Sequence, residues 1–273
     1  MKRAIAVLAA FLTTGVSGAS AQDDSLRAAV QNPISSLVSV PLKFSFDNGA
    51  PNGRANFVNL QPVIPATVGN WNLVSRAIIP FVGAPGGIGG LPDNPGVGDP
   101  TQIGRAKGLG DINYTLFFNP VESNSAWTWG IGPSITAPTA SDDRLGSGKW
   151  SAGFSAVALT QPEWGTYGGL VRHLWSFAGD DKRRKVNQTL VEPFLNYNLD
   201  DGWYLLTDSV ITYDWEAASG QKLTLPIGGG FGRLFKVGEQ AMNARTEAYY
   251  NVVRPDSGPK WTIGFTIQWL FPK

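Results

Sequence analysis

Hydrophobic and polar residues alternate along most of this chain, and the alternation is strictest at its end. In "KWTIGFTIQWLFPK" (260–273), Trp261, Ile263, Phe265, Ile267, Trp269 and Phe271 fall on one face, opposite Thr262, Gly264, Thr266, Gln268 and Leu270. A period of two is the mark of a strand with one apolar and one polar side. "LVSVPLKFSF" sets Val38, Val40, Leu42, Phe44 and Phe46 against Ser39, Lys43 and Ser45; "AWTWGIGPSITA" sets Trp127, Trp129, Ile131, Pro133 and Ile135 against small polar residues. In "AMNARTEAYYNV", Asn243, Arg245, Glu247, Tyr249 and Asn251 share a side. Weaker versions cover 57–64, 71–82, 110–118, 150–159, 167–177, 188–198, 203–215 and 222–234, which makes about twelve strands of about 9–13 residues. The connections alternate too. Polar or charged loops such as "DNGAPNGRAN", "TASDDRLGSGK" and "AGDDKRRKVN" exchange with shorter turns such as "QPEWG" and "LDDG", and one long Gly/Pro-rich loop runs from Gly83 to Gly108.

A sandwich and a barrel share this periodicity, and three features favour the barrel. The strands are long enough to cross a bilayer at a tilt, whereas globular strands are usually about 5–6 residues. Their polar face is built from Gly, Ser, Thr and Asn rather than the Lys and Glu that water usually meets. Tryptophans such as Trp71, Trp127, Trp150, Trp203, Trp215 and Trp261 gather at strand ends, where hydrocarbon meets headgroup. A sheet in lipid has to pair every backbone group, so it closes on itself. The expected fold is all-β: a closed antiparallel up-and-down transmembrane β-barrel of about twelve strands, residues 37–273.

Composition narrows this further. Charged residues are 16% of the 273, the net charge is +1, Gly (33) and Pro (19) are plentiful, and there is no cysteine. Nothing points to nucleic acid, a disulfide framework or a cofactor. Lys2 and Arg3, the apolar Ala4 to Leu12 and the Ala19-Ser20-Ala21 site read as a signal peptide over 1–21. A polar periplasmic segment follows over 22–36. No run of about 18 apolar residues is present for a spanning helix. The expected location is the outer membrane of a Gram-negative bacterium, in contact with lipid and lipopolysaccharide, with the aromatic-ended last strand recognised by the assembly machinery.

Several stretches carry a resemblance. "LQPVIP" (60–65), "WNLVSRAIIP" (71–80), "GLGDI" (108–112), "GSGKW" (146–150), "TYGGLVRHLWSFAGDD" (166–181), "VNQTLVEPFLNYNL" (186–199), "YDWEA" (213–217) and "GPKWTIGFTIQWLFPK" (258–273) resemble the outer-membrane family labelled "MetA-pathway of phenol degradation". The resemblance implies a barrel of this type and, more loosely, passage of small aromatic or other apolar cargo. It carries no catalytic motif to this chain.

Candidate chemistry is sparse. Lys43, Glu192, Asp208, Arg245 and Glu247 fall on polar faces, with Arg76 and Arg172 beside them. A Lys or Arg facing lipid at midplane costs about 2–4 kcal/mol, so these seven are expected to line the lumen, bracing the wall or tuning a path. His173 is the only histidine; Ser176, three residues on, projects to the opposite face. Ser176 therefore cannot be its nucleophile, although a Ser from another strand could, and one His with no Cys argues against a transition-metal site. Gly228-Gly229-Gly230 has no Lys-Ser/Thr after it and suits curvature or close packing rather than a phosphate. Pro41, Pro62, Pro80, Pro133, Pro193 and Pro226 each remove a ladder donor and are expected near strand ends or bulges, with a kinked wall and side opening as the sharper reading. The function expected is a passive channel for small molecules; a structural barrel or a lipid hydrolase are the rivals.

Overall fold

A computed structural model describes residues 21–92, 104–121 and 125–272. The signal peptide reading falls on residues outside these, apart from Ala21. Among the described residues one helix, α1 (Ala21–Gln31), precedes fifteen strands in a single antiparallel sheet. They are β1 (Val38–Ala50), β2 (Gly53–Leu60), β3 (Val63–Val68), β4 (Trp71–Pro85), β5 (Arg105–Leu109), β6 (Ile112–Pro120), β7 (Trp127–Ala137) and β8 (Lys149–Thr160). The rest are β9 (Gly165–Gly179), β10 (Asn187–Asn198), β11 (Trp203–Asp208), β12 (Ile211–Asp214), β13 (Leu223–Val237), β14 (Gln240–Val253) and β15 (Trp261–Phe271). Each of the pairs β2/β3, β5/β6 and β11/β12 is one wall strand with a break in it, so the wall has twelve staves. It closes where β1 pairs β15, from Val38 opposite Phe271 to Asn48 opposite Trp261.

Closure sorts the alternating residues. Trp261, Ile263, Phe271, Trp127, Trp129 and Ile131 are exposed on the outer surface, while Leu270, Thr266, Ser134 and Thr136 are buried inside. A continuous apolar outer surface with a polar interior inverts a water-soluble protein and is the arrangement of a barrel in lipid. Among the described residues no helix is long and apolar enough to cross a membrane.

The prolines mark interruptions of the ladder. Pro41 stands where the neighbour of β1 changes from β2 (Leu42 opposite Leu60) to β3 (Ser39 opposite Val63). Pro80 stands where the neighbour of β4 changes from β6 (Ile78 opposite Asn113) to β5 (Phe81 opposite Leu109). Pro193 faces the break between β12 (Val191 opposite Ile211) and β11 (Phe194 opposite Asp208). Pro133 lies between the Ser134–Thr115 and Ile131–Phe118 pairs, and Pro226 at a register shift. Four of the six are therefore mid-strand, not at strand ends or bulges; the missing N–H falls where no partner carbonyl is presented. The widest interruption lies between β11/β12 and β13, whose pairing stops at Leu206–Gly230 and resumes at Thr212–Thr224.

Two loop boundaries also differ from the alternation. The Gly83–Gly108 loop is shorter at both ends, because β4 runs to Pro85 and Arg105–Leu109 is strand. Gly83 pairs Lys107, and the Arg105 guanidinium ties that end by donating to the carbonyls of Gly83 (2.7 Å) and Arg54 (2.6 Å). The first connection shrinks to Pro51-Asn52, because Ala50 pairs Gly53.

Candidate functional site

Both ends of the barrel are filled from within. At the end where the chain enters, α1 and the residues after it fold into the mouth. Thr166 donates to Gln31 Oε1 (2.8 Å), Gln31 Nε2 donates to Asn198 Oδ1 (2.9 Å), and Gln161 Nε2 donates to the Ala28 carbonyl (2.8 Å). Ile34, 1% exposed, packs with Val74, Phe117, Leu159, Leu170 and Leu190 from the wall. Leu26 and Leu37 pack with Leu234, Ala241 and Leu270. The 22–36 segment thus fills the mouth as a plug. At the opposite end the chain after β4 dips inward: Ile88 and Leu91 are buried against Phe57, Val82, Ala106 and Leu145. Arg172 Nη2 donates to the Pro92 carbonyl (3.0 Å), tying this loop to the inner wall.

Between the two fillings lie two cavities of about 140 and 170 Å³. Lys43, Arg76, Glu192, Asp208 and Arg245 border both and so form a charged waist; Arg172 and Glu247 border the one on the loop side. All seven charged residues picked from the alternation therefore face the interior. Register explains three of them: Lys43 stands opposite Thr266, which stands opposite Arg245, while Glu247 stands opposite Gly264.

Most of these charges are paired. Arg245 Nη2 lies 2.8 Å from Asp208 Oδ2 and 3.8 Å from Glu247 Oε2; Lys43 Nζ lies 3.5 Å from Glu247 Oε1. The Tyr249 hydroxyl donates to Asp208 Oδ1 (2.7 Å) and accepts from the Asp208 N–H (2.9 Å). That N–H has left the ladder at the wide interruption, and the tyrosine satisfies it. Tyr249 reaches across β13 to do so; it stands opposite Gly228, where a Cβ would come within 2.8 Å of the Tyr249 Cα. Gly264 makes room for the Glu247 side chain, whose Cγ and Oε1 lie 2.7 Å from where a Cβ on the glycine would stand. A hydroxyl that both donates and accepts can replace a lost ladder bond in a way that phenylalanine cannot. Tyr204 adds a second such contact, donating to Asn243 Oδ1 (2.8 Å).

Three contributors escaped the sequence reading. Asp47, buried and accepting from Thr262 Oγ1 (2.6 Å), continues the Ser39–Lys43–Ser45 side and was readable by parity. Tyr204 shares the parity of Asp208 on β11, but a tyrosine beside Leu206 on that side does not stand out as polar. Asp111, between β5 and β6, anchors the β7–β8 loop at the end opposite α1: Ser147 donates through its N–H (2.6 Å) and hydroxyl (2.7 Å), and the Ala140 N–H adds a third bond (3.2 Å).

His173 points outward, on the side of Val171 and Trp175. Its Nδ1 hydrogen-bonds the Thr189 hydroxyl (2.8 Å), and the Trp215 indole donates to the same oxygen (2.9 Å). Ser176 serves the backbone, its Oγ accepting from the Val186 N–H (3.0 Å). Among the described residues no group of three or more His, Cys, Asp or Glu is placed to hold a metal ion.

No family model matches the chain, and no curated protein matches it. Solved structures do. An outer membrane channel from Pseudomonas putida F1 superposes with a TM-score of 0.61 at 15% identity, over 86% of this chain and 94% of that one. The toluene transporter TodX from Pseudomonas putida gives 0.44 at 10%, over 89% and 92%. The outer membrane phospholipase A from Escherichia coli gives 0.46 at 11%, over 86% and 92%. The first of these likenesses supports the fold: a closed twelve-stave barrel of the outer-membrane kind.

Proposed function

We propose that this barrel sits in the outer membrane and acts as a passive channel for small molecules, aromatic and other apolar compounds among them. The observation that carries the reading is the pair of cavities meeting at a charged waist. A purely structural barrel has no need to keep such space between two fillings, since packed interiors leave few voids larger than a water. The likeness to a barrel described as an outer membrane channel agrees, as does the sequence resemblance to the phenol-degradation family. Residues 1–21 serve as the export signal, β15 with its terminal Phe271 as the strand read by the assembly machinery, and the outer leaflet supplies lipopolysaccharide contacts.

The test is single-channel conductance of the folded protein in a planar bilayer, with and without simple phenols. Small current steps that phenols block support the reading. Silence from protein shown to be inserted removes the axial path. A second reading, exit sideways into lipid, is favoured by the wide interruption between β11/β12 and β13. Cross-linking that seam shut would then stop uptake of apolar cargo while leaving ionic current unchanged.

A further inference from the structure

We propose that the waist is a binding subsite for the head of a small, otherwise apolar molecule. The head it fits is uncharged, a hydroxyl or a primary amide, accepting a hydrogen bond from Arg76 and donating one to Glu192. This deepens the channel reading and takes its biological meaning from it.

The starting point is how unevenly the interior charges are engaged. Asp208 and Glu247 are ion-paired and Asp47 accepts from Thr262. Among the described residues Glu192 makes neither a hydrogen bond nor an ion pair, although Arg76, Lys43 and Arg245 all act on it electrostatically. Arg76 makes a single hydrogen bond, Nη2 to Gln61 Oε1, at a long 3.3 Å. A guanidinium has five N–H donors, so most of its capacity faces the cavity. Arg76 is on β4 and Glu192 on β10, five staves apart in a wall of twelve. They approach from nearly opposite sides, border both cavities and do not touch.

Such a pair selects a head that satisfies both ends at once. Charge-assisted hydrogen bonds are the strong ones, and a ligand group able to accept from the guanidinium and donate to the carboxylate makes two of them. Added charge is disfavoured with either sign. The waist and its neighbour Glu247 hold three cations (Lys43, Arg76, Arg245) and three anions (Glu192, Asp208, Glu247), so an entering carboxylate or ammonium meets like charge on the facing wall. The body of the ligand is set by the rest of the lining. Ile78, Phe117, Leu170 and Leu190 give the loop-side cavity an apolar side, and its volume of about 140 Å³ is that of a single ring. An engineered protein cavity of roughly 150 Å³ takes up benzene.

The test is equilibrium binding to the purified, detergent-folded full chain, by titration calorimetry, of five probes that share one ring. These are benzyl alcohol, benzamide, toluene, benzoate and benzylammonium. Benzyl alcohol and benzamide are expected to bind saturably and at least tenfold tighter than the other three. Arg76→Met and Glu192→Leu are each expected to remove that advantage and leave toluene unchanged. The ranking on the native chain needs no variant, so a variant that misfolds does not spare the proposal. Benzoate or benzylammonium binding tightest overturns it, as does toluene matching benzyl alcohol, or folded variants that keep the native ranking. Binding is read without current. A silent bilayer with the ranking intact removes the channel and leaves the subsite; a conducting barrel without the ranking removes the subsite alone.

Discussion

The Arg245 guanidinium lies 2.8 Å from the Asp208 carboxylate, and this pair ties two strands that are not neighbours in the wall together from inside. Arg245 is on β14 and Asp208 is the last residue of β11, with β13 between them. Truncating one member of a buried pair costs about 3–5 kcal/mol, because the other charge is left without a partner. Arg245→Ala leaves Asp208 without its ion-pair partner and Glu247 with Lys43 alone, and is expected to lower stability by about that much. Asp208→Asn together with Arg245→Met should lose much less. Urea unfolding of the barrel in lipid vesicles checks this; a single variant with the native midpoint would show that the pair contributes nothing.

The Tyr249 hydroxyl offers a narrower probe of the same place. Tyr249→Phe keeps the ring but removes both the acceptor for the Asp208 N–H and the donor to its carboxylate. Leaving a buried group unsatisfied costs about 1–3 kcal/mol. The expected outcome is a loss in that range, with faster amide exchange at Asp208 and its neighbours on β11 and β12 but not on β7 or β8. Uniform exchange around the barrel would contradict the view that this tyrosine replaces a missing ladder bond.

Much of this was legible along the chain, because a barrel repeats one rule at every strand. Parity alone separates Trp261 and Ile263 from Thr262 and Gly264, and it placed Lys43, Arg245 and Glu247 on the polar face. What stayed hidden depends on residues far apart in sequence. The partners of Pro193 are set by where β11 ends and β12 begins, and neither boundary shows in the 203–215 alternation. Ile34 and Leu37 are two apolar residues in a polar stretch; nothing local says that Val74 and Phe117, or Leu234 and Leu270, will receive them. Glu192 was visible as a polar-face charge, but its lack of a partner is a property of the whole interior.

The β7–β8 loop is expected to respond to pH through Asp111. Ile112 stands opposite Ala137 and Thr136 opposite Ser151, which places Asp111 level with Trp150 in the outer aromatic belt, at the rim. Burial pushes its carboxyl above the ordinary carboxylate value, outweighing the bonds from Ser147 and Ala140 that pull it down. A raised acid favours the fold when protonated. Its contribution is present in full below the ordinary value of about 3.9 and is lost as pH rises through the raised one. From pH 4 to 8, the native chain should lose stability relative to Asp111→Asn, whose side chain does not titrate. Melting temperatures of the two across that range check the sign; parallel curves would count against it.

The plug gives the most direct functional prediction. Its hold is a few hydrogen bonds at its rim, between Gln31 and both Thr166 and Asn198, plus the burial of Leu26 and Ile34. A fully buried Leu or Ile contributes about 1.5–3 kcal/mol, so two of them secure a short segment without making it part of the ladder. Deleting residues 22–36 removes no strand and leaves the β1–β15 seam that closes the wall. The truncated barrel is therefore expected to fold, and its conductance to rise severalfold, with the waist now the narrowest point. Arg76→Ala in that background should raise it again, since the guanidinium projects into the remaining path. If truncation leaves the current unchanged while the barrel is shown to be folded, the plug does not limit passage. The inward loop carrying Ile88 and Leu91, or the waist itself, would then be the restriction.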